Sequence, residues 1–276
     1  SSASTGLTTT RTMSAVTYYA SGLMKGYTDS TREQNKTGYD PLDVTTTTVR
    51  SAIAYENNLG QMTGYTDTIN SSASTGLTTT RTMSAVTYSD KAFMTSYTDF
   101  TNEINNASTT LALNVTTTTN RAISGYNPLG QMTGYTDTVN SSATQNLETV
   151  RNMSIGHYNT LGQMDEYTDV TREYNKAHDS INRFLELDIT TTTARKIGVF
   201  DASGARVPGK TGYNALGQMT DYTDKVNSSA TVDLTTTRTM SGITYKASGF
   251  MNGYTDTTKE ASIKIDGMGC VRIRHS

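Results

Sequence analysis

Seven Tyr-Thr-Asp triplets supply most of the side chains in this sequence whose type and spacing could do chemistry. A row of tyrosine rings could bind glycans, and a row of carboxylates could bind Ca²⁺. The tyrosines are Tyr27, Tyr65, Tyr97, Tyr135, Tyr167, Tyr222 and Tyr254, and each is followed two residues later by an aspartate, namely Asp29, Asp67, Asp99, Asp137, Asp169, Asp224 and Asp256.

A structural role is the favoured interpretation of both rows. A repeat must keep the contacts between its units, so we expect the tyrosines to pack between neighbouring hairpins, with glycans as the alternative partner. Ca²⁺ takes about six to eight oxygen ligands, and one aspartate per repeat is too sparse to supply them. We therefore expect each aspartate to hydrogen-bond to its own turn.

The residues typical of metal sites and covalent catalysis are few and scattered. His157, His178 and His275 share no regular spacing, and Cys270 is the single cysteine. This pattern predicts no metal site, no cofactor, no nucleophile–base pair and no enzymatic activity. The net charge of −2 gives no electrostatic basis for nucleic-acid binding, and no apolar run is long enough to predict a membrane span.

The elements that position the triplets are predicted by a longer phrase: an aromatic residue, three variable residues, glycine, and then a strand-like run. Successive triplet tyrosines are 38, 32, 38, 32, 55 and 32 residues apart, which gives a double repeat of 70 residues. A glycine that closes a short loop supplies the positive φ of a hairpin with a G1-type bulge. These glycines are Gly22, Gly60, Gly130, Gly162, Gly204, Gly217 and Gly249.

Other features follow from this hairpin hypothesis. Ala92 replaces the glycine of one turn, so we expect strain or a different turn type there. Residues 7–18 have the pattern of a strand with two alternating faces. Four arginines share one register, and we expect each to pair across strands with an acidic residue; they are Arg11, Arg81, Arg151 and Arg238.

The remaining segments predict strands and connections. Runs of four threonines at 45–48, 116–119 and 190–193 favour strands, since threonine is β-branched. An ice-binding threonine face is the weaker alternative, because contiguous runs put threonine on both faces of a strand. The polar segments 30–43 and 170–188 are predicted surface loops, with a short helix over 179–187.

Hydrophobic residues make up 34% and charged residues 17% of the chain, both less than in an average globular domain. Threonine takes their place, and its β-branched side chain favours strands. We predict tandem antiparallel β-hairpins stacked as a solenoid, ribbon or spiral sheet. The hairpin array covers 1–256, with an extra hairpin near 196–212, and 257–276 form an atypical cap or assembly segment. Residues 1–18 recur unchanged as 71–88, so we expect a longer array or an N-terminal edge that meets another copy.

A family resemblance extends over nearly the whole array, from Leu7 to about Asp256, and is clearest at two turns. The segments Phe200-Asp201-Ala202-Ser203-Gly204 and Tyr213-Asn214-Ala215-Leu216-Gly217-Gln218-Met219, with Tyr222-Thr223-Asp224 after them, resemble the YD repeats of Rhs and teneurin proteins. The chain departs from that family where glutamine replaces arginine and methionine replaces leucine after the turn; the glutamines are Gln61, Gln131, Gln163 and Gln218. The resemblance implies antiparallel hairpins in a spiral sheet, in cell-surface or secreted proteins.

The sequence thus predicts a non-enzymatic extracellular or cell-surface structural protein. We expect it to form homo-oligomers or filaments through the array ends, by strand pairing between the residue-1 edge and a C-terminal contact at Val271, Arg272, Ile273 and Arg274. The alternatives are a glycan-binding adhesin stalk and a shell fragment of an Rhs-type toxin protein.

Overall fold

Every regular element that the structure describes is a β-strand. The computed structural model describes residues 7–35, 42–56, 60–74, 76–105, 112–144, 146–175, 187–201, 203–247, 249–265 and 271–273. These residues contain 15 strands, which are numbered here in chain order. The all-β prediction is therefore confirmed.

The strands are long, and most have 10 to 15 residues. The earlier ones are β1 (Leu7–Tyr18), β2 (Met24–Asn35), β3 (Asp43–Tyr55), β4 (Met62–Ser71), β5 (Leu77–Tyr88), β6 (Met94–Asn105), β7 (Leu113–Tyr126) and β8 (Met132–Ser141). The later ones are β9 (Leu147–Tyr158), β10 (Met164–Asn175), β11 (Asp188–Ile197), β12 (Tyr222–Ser228), β13 (Leu234–Tyr245), β14 (Met251–Ile265) and β15 (Val271–Ile273).

The chain divides into two compact units. Within the described ranges, residues 2–123 and 137–148 belong to one unit, and residues 124–136 and 149–276 belong to the other. In each unit the order of the strands in the sheet is their order in the chain. Neighbouring strands run antiparallel, as β1 and β2 do in the first unit and β13 and β14 in the second. Tandem antiparallel hairpins are thus the architecture of both units.

The hairpin turns have the geometry that their glycines predict. In the first turn the amide of Gly22 donates to the carbonyl of Tyr19, and the amide of Tyr19 donates to the carbonyl of Leu23. This is a type I turn closed by a left-handed residue, the G1-type bulge. The backbone angle φ is positive at all seven predicted glycines, from 66° at Gly60 to 83° at Gly249. Ala92 keeps the same turn with a φ of 63°, so the turn type does not change.

The strict alternation of faces predicted for Leu7–Tyr18 is wrong, because a β-bulge interrupts β1. The pairing with β2 shifts between Ser14 and Thr17, and Ala15 between them has a φ of 50°. The same bulge occurs at Ala52 in β3 and Ala85 in β5. An extra residue turns the following side chain toward the other face, and in β3 and β5 that side chain, Ile53 or Val86, is buried.

Two predicted loops are partly strand. Residues 30–35 continue β2, and residues 170–175 continue β10. The prediction failed because polar side chains were taken as a loop signal, whereas here they pair across the strands. Arg32 forms an ion pair with Asp43 at 2.6 Å, and Arg172 forms one with Asp188 at 2.7 Å. The predicted helix over 179–187 lies, apart from its last residue, outside the described residues.

The predicted extra hairpin is compact and follows β11. Phe200 and Arg206 form an isolated antiparallel bridge around a turn at Asp201–Gly204, and a second bridge joins Tyr213 to Met219. Near the C-terminus, β14 continues through the predicted domain boundary at 256 and pairs with β13 as far as Ser262.

Few side chains in the described residues are fully buried. The buried apolar ones are Ile53, Tyr65, Val86, Ile197, Met240 and Ile243. A single hairpin with so little buried apolar surface is marginal alone, so each hairpin depends on its neighbours. The side-chain contacts between hairpins therefore matter for the stability of the array.

Candidate functional site

Each triplet aspartate is held by an arginine on a neighbouring strand. The Arg50 guanidinium donates two hydrogen bonds of 2.7 Å to the two carboxylate oxygens of Asp67, and Arg195 makes the same fork to Asp224 at 2.6 Å. The pairs are Arg11–Asp29, Arg50–Asp67, Arg81–Asp99, Arg121–Asp137, Arg151–Asp169, Arg195–Asp224 and Arg238–Asp256. The prediction that each aspartate bonds its own turn is wrong, because the triplet lies inside a strand rather than at its end.

Two kinds of arginine build this Arg–Asp ladder. The cross-strand pairing predicted for the four arginines of one register, of which Arg11 is the first, is confirmed. Arg50, Arg121 and Arg195 were missed, although each stands two residues after a four-threonine run. These three are the less exposed partners. Their hydrogen bonds to aspartate raise the pKa of Arg50 and of Arg195 above the ordinary arginine value.

The triplet tyrosines contact the arginines of the ladder. The Arg50 guanidinium lies 3.8 Å from the ring centre of Tyr65 and 5.7 Å from that of Tyr27. Arg195 lies 4.2 Å from Tyr222 and 5.7 Å from Tyr167. Arg121 lies 5.6 Å from Tyr97, and Arg151 lies 6.0 Å from Tyr135. These are cation–π distances, so the ring faces involved are occupied by the protein's own guanidinium groups.

The tyrosines that begin the aromatic-to-glycine turns form a second row, and five of them hydrogen-bond to an earlier strand, a contact that was not predicted from the sequence. The Tyr88 hydroxyl donates to the main-chain carbonyl of Met62 at 2.6 Å. The equivalent bonds are Tyr55 to Met24, Tyr158 to Met132, Tyr213 to Met164 and Tyr245 to Met219. The sequence does indicate this role, because the residue before the turn is tyrosine in all five cases. A residue that only packs against apolar groups could equally be phenylalanine, so the repeated hydroxyl suggests a hydrogen bond. Burial raises the pKa of the Tyr88, Tyr158 and Tyr213 hydroxyls.

The turns themselves are fixed by an asparagine and a glutamine. Asn127 Oδ1 accepts hydrogen bonds from the amides of Leu129 and Gln131, and Asn127 Nδ2 donates to Gln131 Oε1 at 2.7 Å. The same arrangement joins Asn159 to Gln163 and Asn214 to Gln218. The glutamine that departs from the YD pattern therefore has a local structural role in these turns.

A cluster of three ionisable side chains lies where the extra hairpin meets β9 and β10. The Asp165 carboxylate is only 2% exposed; one oxygen is 2.6 Å from His157 Nδ1, and the other is 2.9 Å from an Arg206 terminal nitrogen. Arg206 also donates to the carbonyl of Ile197 and contacts the Phe200 ring. Asp165 thus fixes the extra hairpin to β10.

The chemistry open to this cluster is limited. No described hydroxyl or thiol hydrogen-bonds to His157, and the described residues contain no group of three or more His, Cys, Asp or Glu side chains placed to hold a metal ion. The pocket beside it, lined by Lys196, Phe200 and Thr223 among others, has a volume of about 190 Å³. Ligand pockets usually measure about 300–1,000 Å³. The contacts that the structure shows for this cluster join Asp165 to His157 and Arg206, and Arg206 to the main chain at Ile197.

Within the described residues, β1 and most of β14 have one edge without a neighbouring strand. β1 pairs with β2, and no described strand occupies its other edge. The residues of β1 are identical to those of β5, which pairs with both β4 and β6. β14 pairs with β13 over 251–262, and only 263–265 pair with β15. The predicted contact residues Val271, Arg272 and Ile273 form β15, whereas Arg274 lies outside the described residues.

No protein-family model matches the chain, and no curated protein or solved structure matches it. The YD-repeat resemblance accordingly stays a prediction. In the part of the chain that the structure describes, no helix has the length and apolar character needed to cross a membrane.

Proposed function

We propose that this protein is a non-enzymatic structural array that associates with further copies by strand pairing at its open edges. The observation that carries the proposal is the contrast between β1 and β5. Tyr88 in β5 bonds to Met62 and Val86 is 5% exposed, whereas the equivalent Tyr18 in β1 is 61% exposed. The same twelve-residue sequence therefore has a neighbouring strand on both edges in β5, and a described neighbour on one edge only in β1.

The internal use of the polar side chains supports a structural role. The arginines of the ladder are paired with aspartates, and several lie against tyrosine rings. Asp165 is buried between His157 and Arg206. Side chains committed to such pairs hold a repeat in register and are not free to bind a substrate. We expect no catalytic activity for this reason.

Physical chemistry favours association at the edges. An unpaired strand edge presents a row of amide and carbonyl groups that another strand can satisfy, and proteins that must stay monomeric block such edges with charge or proline. β1 carries Arg11 as its single charged residue and has no proline. Arg11 is already bonded to Asp29 on β2, so the edge of β1 has little to repel an added strand.

The placement of this array outside the cell is part of the proposal and rests on the YD-repeat resemblance. Immunogold labelling of intact source cells, compared with permeabilised ones, tests it: label on intact cells is expected, and label only after permeabilisation would contradict it. No contact in the described residues favours the glycan-binding stalk or the toxin-shell fragment, and both stay predictions.

Self-association is tested by light scattering and sedimentation velocity on the purified 276-residue chain over a wide concentration range, with negative-stain electron microscopy of the same samples. We expect the mass to rise with concentration and elongated assemblies to appear. A single monomeric mass at every concentration, without fibres, would remove the proposal.

The exposed leucines at the turn tips call for a matched control, because apolar side chains can also drive association. Leu129, Leu161 and Leu216 are all at least 80% exposed. A variant with all three changed to serine should assemble as the unchanged chain does if the strand edges are responsible. Loss of assembly in that variant would instead assign the contact to the turns.

A further inference from the structure

We infer that the strand which covers β1 is residues 251–259 of β14 from a second copy of this chain, aligned in the register that β4 adopts on β5. The inference rests on the proposed self-association and names the surfaces that meet. The internal β4–β5 contact provides the template, since β5 repeats β1 residue for residue.

The register of such a contact is set by two internal precedents. In the β4–β5 pair, Tyr65 is opposite Met83, Thr66 opposite Thr82 and Asp67 opposite Arg81. In the β12–β13 pair, Tyr222, Thr223 and Asp224 lie opposite Met240, Thr239 and Arg238 in the same way. A Tyr-Thr-Asp triplet therefore lies opposite Met-Thr-Arg, read antiparallel, in both units.

Both halves of this pattern are present on the open edges. β14 carries Tyr254-Thr255-Asp256, and β1 carries Arg11-Thr12-Met13. In the inferred contact Tyr254 lies opposite Met13, Thr255 opposite Thr12 and Asp256 opposite Arg11. The Tyr18 hydroxyl then has the carbonyl of Met251 as its acceptor, by analogy with Tyr88 and Met62.

The side chains that would meet in this contact are exposed in the single chain, whereas an equivalent tyrosine between two strands is buried. Tyr65, which has a strand on each side, is 7% exposed, whereas Tyr254 is 56% exposed. Met13 and Met251 are about half exposed. Burying tyrosine and methionine surface of this size is favourable by the hydrophobic effect, so the contact combines backbone pairing with apolar burial.

Gly253 is the most specific feature of the β14 edge. A methyl group added at the equivalent Gly64 would lie 2.8 Å from the carbonyl oxygen of Met83 on β5, a backbone collision. At Gly253 the nearest atom to such a group is Thr244 Oγ1 at 3.4 Å, an ordinary contact. No contact within the described chain therefore requires glycine at position 253. A β1 strand paired with β14 would require it, because a side chain there would collide with the β1 backbone as it would at Gly64.

The bulge on β1 strengthens this assignment. β1 and β5 both have alanine at the bulge, at Ala15 and Ala85, and β5 receives a strand with glycine at the position of Gly64. β13 has Gly242 at its bulge instead, and its partner strand β12 is preceded there by Asp221, whose carboxylate accepts the Gly242 amide. Gly26 and Gly64 likewise approach β3 and β5, the other two strands with an alanine bulge, so the pairing of Gly253 with β1 repeats an arrangement found within the chain.

The first test compares Gly253→Ala with Asn252→Ala, a neighbouring change that adds no atoms toward the partner. Gly253→Ala should weaken association about tenfold or more, because it places a methyl group against a backbone carbonyl. Its far-ultraviolet circular dichroism and urea midpoint should match those of the unchanged chain. Association at full strength in Gly253→Ala would overturn the inferred contact.

The second test fixes the register and does not depend on the strength of association. Thr12→Cys and Thr255→Cys are made in separate chains that also carry Cys270→Ser, so a disulfide between them joins two copies. The internal equivalents Thr66 and Thr82 have their hydroxyl oxygens 3.3 Å apart, and a disulfide needs similarly close side chains. Mixing the two chains under mild oxidation should give the cross-linked dimer.

Thr10→Cys is the matched control for the register, since it lies two residues from Thr12 along β1. It should cross-link to Thr255→Cys far more slowly than Thr12→Cys does. Assembly of the unchanged chain with no preference between the two positions would overturn the inference and leave the proposed function standing. Absence of assembly in the unchanged chain would overturn both.

Discussion

Ala92 occupies the left-handed position that glycine fills in the other aromatic-to-glycine turns. Its φ of 63° lies in the region that L-residues rarely adopt. The turn nevertheless keeps its two main-chain hydrogen bonds, from Ala92 to Ser89 and from Ser89 to Phe93. The neighbouring strands therefore impose the turn geometry, and the alanine bears the conformational cost.

Changing Ala92 to glycine should raise the free energy of unfolding by about 1 kcal/mol, since the left-handed conformation costs an L-residue roughly 1–2 kcal/mol and glycine loses more chain entropy on folding. Urea denaturation followed by circular dichroism measures the change. Gly22→Ala is the control in the opposite direction, because no atom lies within 4 Å of the added methyl group. It should destabilise the chain through φ alone; an unchanged midpoint in both variants would contradict the argument.

The Arg–Asp ladder depends on the shape of the guanidinium as well as its charge. Arg195 forks onto Asp224 and lies against the Tyr222 ring, two contacts that lysine cannot make together. Arg195→Lys should therefore lower the free energy of unfolding by about 2 kcal/mol, the value of a hydrogen bond to a charged group. Arg11→Lys changes a pair in which the arginine is more exposed, and it should have a smaller effect in the same urea titration. Equal shifts for the two variants would count against a role for burial.

At the scale of the element, the hairpins were predictable because their turns have a local signature. Aromatic-x-x-x-Gly fixes the turn within five residues, so the positions of Gly22 and Gly130 and the antiparallel pairing around them followed from the sequence. The bulges were not predictable in this way. Ala15, Ala52 and Ala85 adopt a conformation for which alanine has no preference, and only the pairing of two strands imposes it.

The candidate contacts between hairpins were predictable in part. The register of Arg11 and its equivalents indicated cross-strand ion pairs, because a charge repeated at one strand position requires a repeated partner. The role of Asp29 and its equivalents was misjudged, since aspartate near the apparent end of a run is typical of turns. The strand in fact continues to Asn35 and pairs along this extension with both β1 and β3, which the local sequence does not encode.

The second tyrosine row offers a test of the element-to-element contact with an internal control. Tyr88→Phe removes the hydroxyl that donates to Met62, so we expect a loss of about 1 kcal/mol of stability, the net value of one hydrogen bond. Tyr18→Phe makes the same change in an identical strand where the tyrosine is exposed, and at concentrations below those of assembly it should leave the urea midpoint unchanged. Equal effects at both positions would contradict the proposed link.

The same tyrosines predict how stability depends on alkaline pH. Burial raises the pKa of Tyr88, Tyr158 and Tyr213 above the unfolded value of about 10. The unfolded chain therefore loses these protons first. The stabilisation is complete below pH 10 and is lost as the pH rises through the folded pKa values. Urea midpoints measured between pH 8 and pH 11 should fall above pH 10, and the fall should be smaller in Tyr88→Phe.

At the scale of the whole molecule, stability is spread over many similar contacts. Each described hairpin adds an ion pair, a tyrosine hydroxyl bond or a fixed turn to its neighbour, and few side chains are fully buried. A repeat protein of this kind gains stability from each neighbour that it acquires. An added strand at β1 should thus be stabilised by the same contacts that hold β4 against β5, whether it arrives in another copy or as a free peptide.

A synthetic peptide with the sequence of residues 62–71 should inhibit the assembly of this protein. It carries the strand that already covers β5, and should therefore bind the identical β1 edge and block the approach of a second copy. We expect the assembled mass, followed by light scattering, to fall as the peptide concentration rises. The same peptide with Gly64→Ala is the control, because its methyl group would lie 2.8 Å from the carbonyl oxygen of the methionine opposite. If both peptides block assembly equally, or neither does, the β1 edge is not the surface through which copies of this chain join.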